Sequence, residues 1–206
     1  MIVTELVPVG KTRQKVYLDY EYAFLLSNRE VRLYKIKNDE ELDTEVYEEI
    51  IQELILPKAK LKAMDLLKSC DRTEYELLSK LKTAGFNADV GNQALDYVKQ
   101  YNYVNDYRYA CNYISFRKSS RSKKMIILEL TRKGVDKLLI LQAVEQEYQE
   151  DMEEEAILRE IKKKCTKSQE LTYEMRMKVS ASLFRKGYSA DHIRKVFDQY
   201  MDDMDC

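Results

Sequence analysis

The chain has 206 residues, enough to bury a core, with 34% charged residues, 45% hydrophobic residues and a formal net charge of −1. Two prolines and five glycines argue against long disordered linkers and an all-β fold, and near-neutrality excludes a global electrostatic pull on nucleic acid or membrane. No apolar run approaches the ~20 residues needed to span a bilayer, and the N-terminus lacks a signal-peptide core, so a cytoplasmic, non-membrane protein is expected.

The first 36 residues read as a small antiparallel meander. Ile2–Val9 is one strand, broken at Gly10-Lys11. Val16, Leu18 and Tyr20 alternate with Tyr17 and Asp19 in the second, and a turn at 19–21 leads to Tyr22–Leu26. Ser27 with Glu30 forms a capping box opening a short helix with Val31, Tyr34 and Leu33 on its apolar side. From Asp39 onward the periodicity is helical. Val46, Ile50, Ile51 and Leu54 make one stripe, which Pro57 should end while opening the next helix. Ala59, Ala63, Leu66, Leu67 and Cys70 make the following stripe.

Beyond this point one pattern recurs three times. Leu77 and Leu81 precede Gly85, Ile126 and Leu130 precede Gly134, and Val179 and Leu183 precede Gly187, each pair eight and four residues ahead. That spacing puts both side chains on one helical face. The glycine suits the left-handed residue that closes a helix. Asn87, Asp136 and Ser189, two residues later, suit the cap of the next helix. The helices so opened offer Val90, Ala94 and Leu95; Leu139, Ala143 and Val144; and Ile193, Val196 and Phe197. The period is about 50 residues.

The predicted fold is therefore mainly α: three tandem three-helix repeats in an elongated stack, after a small β-containing extension. The expected divisions are 1–56 for the extension, 57–104, 105–150 and 151–206 for the repeats. Within the first repeat, helices are expected at 57–70, 74–84 and 88–101, with Thr73 and Glu76 as a second capping box. The second repeat opens at Asn105-Asp106 and carries Tyr109, Ala110, Tyr113, Ile114 and Arg117. The third starts near Asp151 with Ala156, Leu158 and Ile161, breaks at 166–168, and continues through Leu171, Met175 and Val179.

Catalytic signals are absent from the sequence. There is no phosphate-cradling glycine loop, no nucleophile elbow and no zincin motif, so neither enzyme activity, metal nor cofactor is expected. The four cysteines are scattered, and Cys70, Cys111 and Cys165 read as small core residues. The single histidine, His192, sits at the place held by Val90 and Leu139 and reads as a packing position. The acidic run Glu145, Glu147, Glu150, Asp151, Glu153, Glu154 and Glu155 reads as a solvated face.

Basic residues supply the candidate binding surface. Arg117, Lys118, Arg121, Lys123, Lys124, Arg132 and Lys133 stand against one acid, Glu129, a local charge of +6 within 17 residues. Lys162, Lys163, Lys164 and Lys167 form a second cluster, and Arg185-Lys186 precede the third glycine. Helix-end cations complementing the macrodipole explain Arg132, Lys133, Arg185 and Lys186. The residues from Arg117 to Lys124 straddle a turn and suit an acidic surface or a phosphate backbone. Sixteen tyrosines are present, six of them within 97–113. Packing is the expected role for most, with base stacking as the alternative.

The segment Tyr103–Arg117, YVNDYRYACNYISFR, with ILELTRKGV at Ile127–Val135, resembles the hallmark of the bacterial RecX regulatory proteins. Their pattern is Tyr-Leu-Asn-Asp-x-Arg-Phe-Ala-x-x-Tyr followed by Glu-Leu-x-x-Lys-Gly-Ile. AMDLL at Ala63–Leu67 with RTEYELLSKL at Arg72–Leu81 is similar to the first repeat of that family, and LFRKGY at Leu183–Tyr188 to its third. The strand-rich start resembles the extension of members from Gram-positive bacteria. Ser122 departs from the pattern, standing where the family commonly has glycine. The resemblance implies a monomeric, non-enzymatic modulator of the RecA recombinase, bound along the RecA filament on single-stranded DNA and opposing its growth, ATPase and strand exchange. It leaves open whether the DNA itself is touched. A stand-alone helical nucleic-acid-binding protein, using Arg117–Lys133 as its phosphate-facing strip, is the alternative reading.

Overall fold

A computed structural model describes residues 1–149, 152–164 and 172–205. Its chain divides into two compact units, Met1–Asn105 and Asp106–Cys206.

The first unit opens with β1 (Val3–Val9), β2 (Arg13–Leu18) and β3 (Glu21–Ser27), an antiparallel sheet in the order β1-β2-β3. The β2–β3 turn is Asp19-Tyr20, both at positive φ (49° and 70°), the two-residue geometry whose twist matches that of the flanking strands. Tyr20 therefore belongs to the turn rather than to the alternating strand, and is 90% exposed. Val3, Val16, Leu18, Phe24 and Leu26 face the core.

The Ser27–Glu30 capping box opens α1 (Asn28–Leu33), as expected, although Leu33 points to solvent. The chain is not yet helical at Asp39. Lys35 and Asp39 take positive φ, and the following residues lie beside β1, with Val3 N donating to Glu40 O at 3.0 Å and Leu42 buried. Helix α2 (Thr44–Glu49) begins only after Asp43, whose carboxylate accepts from Glu45 N.

Nor does Pro57 end a helix. The backbone stays helical from α2 through a π-helical turn, Ile50–Ile55, into α3 (Leu56–Ser69). Leu56 N reaches Ile51 O, the wider i→i−5 bond. This turn lies just where a proline, lacking an N–H and crowding the carbonyl four residues back, disturbs the regular ladder. Helices α4 (Glu74–Thr83), opened by the Thr73–Glu76 capping box, and α5 (Ala88–Gln100) complete the unit. One hydrophobic core joins sheet and helices, from Val3 and Phe24 through Ala59, Leu77 and Leu81 to Val98 and Val104. Cys70, expected in that core, is exposed because α3 ends at Ser69 and Cys70 takes an extended conformation.

The second unit holds α6 (Asp106–Arg117), α7 (Lys123–Arg132) and α8 (Lys137–Glu147), then α9 (Met152–Lys164), α10 (Tyr173–Arg185) and α11 (Ala190–Asp205). Ala110, Ile114, Ile126, Leu130, Val135 and Ile140 form the core of the first three helices, with Cys111 packed at its edge. Ala156, Ile157, Ile161, Val179, Leu183, Ile193 and Phe197 form that of the last three. Two assignments shift by one residue. Ile140 rather than Leu139, and Ile157 rather than Leu158, are fully enclosed, since Ile140 stands three and four residues before Ala143 and Val144, and Ile157 four before Ile161, each set on one helical face. The expected break at 166–168, and Asp151, Cys165, Lys167, Leu171 and Cys206, lie outside the described residues.

Gly85, Gly134 and Gly187 take φ of +96°, +80° and +91°. Each is followed by the cap its position requires: Asn87 Oδ1 accepts from Val90 N, Asp136 Oδ1 from Leu138 N, and Ser189 Oγ from His192 N. Among the described residues no helix is long and apolar enough to cross a membrane.

Candidate partner-binding face

Helix α7 is the centre of the basic segment, and the structure divides that segment into engaged and free cations. Arg117 is folded back, its guanidinium 5.6 Å from the Tyr113 ring centroid and 5.7 Å from that of Phe116, with Nε buried. Lys118 reaches the Glu147 carbonyl at 3.2 Å and its carboxylate at 3.8 Å. Arg121 Nε lies 3.8 Å from Glu129 Oε1, and Glu129 Oε2 accepts from the Tyr113 hydroxyl at 2.7 Å. Burial and this carboxylate together push the Tyr113 hydroxyl above its ordinary range. Lys133 stands over Tyr109 and Tyr113, which stack at 6.2 Å. Lys186 pairs with Glu160 at 2.7 Å.

The continuous strip expected from the sequence is therefore broken. Cation–π contacts and ion pairs hold five of the nine candidates, and Tyr109 and Tyr113 supply their packing surface. Four remain exposed with no ion pair among the described residues: Lys123, Lys124, Arg132 and Arg185. Lys124 and Arg132 belong to one outward face of α7 with Leu128 and Thr131, at the i, i+4, i+7, i+8 spacing. Eight residues separate the two cations, roughly 12 Å along a helix. Leu128 between them is 42% exposed. The result is an apolar centre with a cation at each end.

The N-terminus of α7 is fixed by its own cap, by the Glu153 side chain of α9 and by the backbone at the end of α10. Ser122, 2% exposed, accepts from Met125 N at 3.2 Å, while its own N–H donates to the Lys186 carbonyl at 3.1 Å. A serine here supplies a helix cap that glycine could not. Glu153 Oε1 accepts from Lys123 N at 2.7 Å and from the Tyr148 hydroxyl, and Glu153 Oε2 lies 3.0 Å from His192 Nδ1.

Two expectations are corrected by this arrangement. Glu153 is no solvated acid, being 14% exposed, and Glu147 is likewise engaged by Lys118. His192 is not a packing residue but half-exposed, because Ile193, one residue on, takes the inward position. Nothing in the local sequence marks Glu153 as a cap for a helix 30 residues earlier. These groups line a hollow of about 380 Å³ with Lys124 and Ile127. Among the described residues no cluster of three or more His, Cys, Asp or Glu is placed to hold a metal.

Comparison with known proteins decides the family. Residues 59–97 match the model for the first three-helix domain of RecX, and 151–197 that for the third. A regulatory protein RecX from Clostridium perfringens strain 13 is 32% identical over 181 residues, covering 87% of this chain and 85% of the relative. The chain belongs to the RecX family of regulatory proteins. A second RecX, from Caldanaerobacter subterraneus, is 28% identical over 200 residues, 96% of this chain and 99% of its own length. Two RecX crystal structures share the fold. One has a TM-score of 0.61 at 21% identity, covering 96% of this chain and 98% of that one. The other, from Lactobacillus salivarius, has a TM-score of 0.60 at 23% identity, covering 73% and 96%.

Proposed function

We propose that this RecX-family protein is a non-enzymatic regulator that binds RecA filaments on single-stranded DNA and restrains their growth, ATP hydrolysis and strand exchange. We assign the contact to the outward face of α7, with Arg185 as an additional cation. The observation carrying this assignment is that Lys124, Leu128 and Arg132 remain uncommitted where most of their basic neighbours are held internally. A face with an apolar centre and cationic ends suits a protein surface bearing carboxylates, because the apolar contact gives affinity and the charges fix register. A monomeric state and a cytoplasmic location are part of the same proposal.

The test is RecA-dependent ATP hydrolysis on single-stranded DNA, with circular dichroism to confirm folding. Wild-type protein should suppress hydrolysis at near-equal ratios to recombinase. The triple variant Lys124→Glu, Arg132→Glu, Arg185→Glu should need at least ten times more protein, because attraction becomes like-charge repulsion at each contact. Equal inhibition by the two would remove α7 as the contact surface, and none by wild type would remove the recombinase assignment. Binding to DNA alone, falling steeply between low and physiological salt, would favour the stand-alone nucleic-acid reading instead.

A further inference from the structure

The first unit contains a second hollow, about 790 Å³, unconnected with any basic residue considered above. It forms where β3 is tied to the α4–α5 turn. The Tyr22 hydroxyl donates to the Gly85 carbonyl, and Asn87 Nδ2 donates to the Ala23 carbonyl at 3.0 Å. Burial pushes the Tyr22 hydroxyl up to about 12, so it stays a protonated donor at any physiological pH. The positive φ of Gly85 turns the chain sharply, and a Cβ there would meet Leu25 Cδ2 at 3.2 Å. Sheet, turn and the first half of α5 thus make three fixed walls.

The chemistry of those walls is uneven. Tyr22, Tyr75 and Phe86 give aromatic surface, and Leu78 with Gly91 gives a smooth apolar floor. Tyr75 is 61% exposed, which leaves much of its ring open to a ligand at the hollow. Lys15 and Lys82 stand at the hollow, both exposed and without an ion pair among the described residues, and Lys15 Nζ lies 5.9 Å from the Tyr22 ring centroid. No aspartate or glutamate among the described residues lines it. In a chain with 36 acidic and 35 basic residues, two lysines outside any ion pair, one of them beside the Tyr22 ring, and no lining carboxylate among the described residues give the cavity a positive lining. The first turn of α5, entering at Ala88, carries Asp89 outside the lining, so the positive charge of the hollow comes from the two lysines.

We infer that this hollow binds a nucleotide, its base stacked on Tyr75 and its phosphate held by Lys15 and Lys82. Aromatic surface and cations side by side recognise a π-system that carries negative charge, and the volume lies in the ~300–1,000 Å³ range of small-molecule sites. An apolar ligand would leave the lysines unused, and a bare anion would leave the rings unused. The nucleotide can be free or one unit of a single strand. The inference stands apart from the recombinase assignment, whose residues all belong to the second unit.

The experiment is titration of the ¹⁵N-labelled full chain with AMP, adenosine, inorganic phosphate, oligo(dT) and polyglutamate, followed by amide shifts. AMP should move the amides of Lys82, Thr83, Ala88, Gly91 and Asn92 saturably, with adenosine and phosphate each binding at least about tenfold more weakly. The pair Lys15→Glu with Lys82→Glu should weaken AMP about tenfold or more while leaving adenosine nearly unchanged. Tyr75→Ala should weaken both, and Tyr75→Phe, which keeps the stacking face, should restore both. All three substituted positions being exposed, the remaining spectrum should not change. Tighter binding of oligo(dT) than of AMP identifies the source as a strand, and the reverse a free nucleotide. Unmoved amides with AMP, phosphate matching AMP, or polyglutamate matching AMP would each overturn the inference, the last in favour of an acidic peptide.

Discussion

Gly187 shows how much one residue can carry. Its φ of +91° is a region that L side chains rarely adopt, and a Cβ there would lie 2.5 Å from Ser122 Oγ and 2.9 Å from Met125 Cβ. The glycine thus serves two purposes, closing α10 and letting the cap of α7 approach. Gly10 has positive φ too (+64°), but a Cβ there would meet nothing within 4 Å. The pair separates backbone strain from crowding. Gly10→Ala should cost about 1–2 kcal/mol, the left-handed penalty alone. Gly187→Ala should cost clearly more, on the order of 3 kcal/mol, because Ser122 is itself enclosed and committed. Urea unfolding of the two variants checks this, and equal losses would mean that the turn relaxes freely around a methyl group.

At the scale of elements, helices α9 and α10 are joined by an ion pair as well as by their apolar stripe. Lys186, the C-cap of α10, lies 2.7 Å from Glu160 Oε2, with both side chains about one-fifth exposed. The hydrogen bond from Lys186 is the main reason the Glu160 carboxyl sits below its ordinary value of 4.5. A depressed pKa means that folding favours the ionised form. The contribution is therefore complete above the unfolded value and is lost as pH falls through the folded one. Glu160→Gln should cost at most about 1 kcal/mol near neutrality, given partial solvent screening. Its stability curve should converge with that of wild type as pH drops below the ordinary carboxylate range. Denaturant midpoints across that interval provide the measurement, and a constant offset at every pH would show that the pair's charge contributes nothing. The same scale explains Pro57. A π-helical turn just ahead of the proline lets the backbone stay helical from α2 into α3.

For the whole molecule, the division after Asn105 has an energetic meaning. The sheet and α1–α5 share one continuous core running from Val3 to Val104. A fragment of residues 1–105 should therefore fold by itself and melt cooperatively, as it carries one compact unit with a core of its own. The fragment 57–105 should not, since it lacks the strands against which Leu77, Leu81 and Val90 share a core. Calorimetry and far-ultraviolet circular dichroism of both fragments test this. A sharply melting 57–105 would make the sheet an ornament rather than part of the core.

Local chemistry by itself determined the helical repeats, their closing glycines, the caps at Asn87, Asp136 and Ser189, both capping boxes and the three strands. Each depends on contacts between residues a few positions apart, so the information is contiguous in the chain. The family resemblance was legible for the same reason, in runs such as Tyr103–Arg117. Tertiary structure alone decided which cations are free. Lys118 and Lys133 are the same residue type as Lys124 and stand in the same basic segment. Lys118 differs in having the Glu147 carboxylate of α8 opposite it, and Lys133 in having the Tyr109 and Tyr113 rings of α6. Glu153 is the plainest case: as one acid in a run of acids it carries no mark, yet it caps a helix 30 residues before it and holds His192 39 residues after it. Electrostatic partners at such separations are chosen by packing, and packing is a property of the folded chain rather than of any window in it.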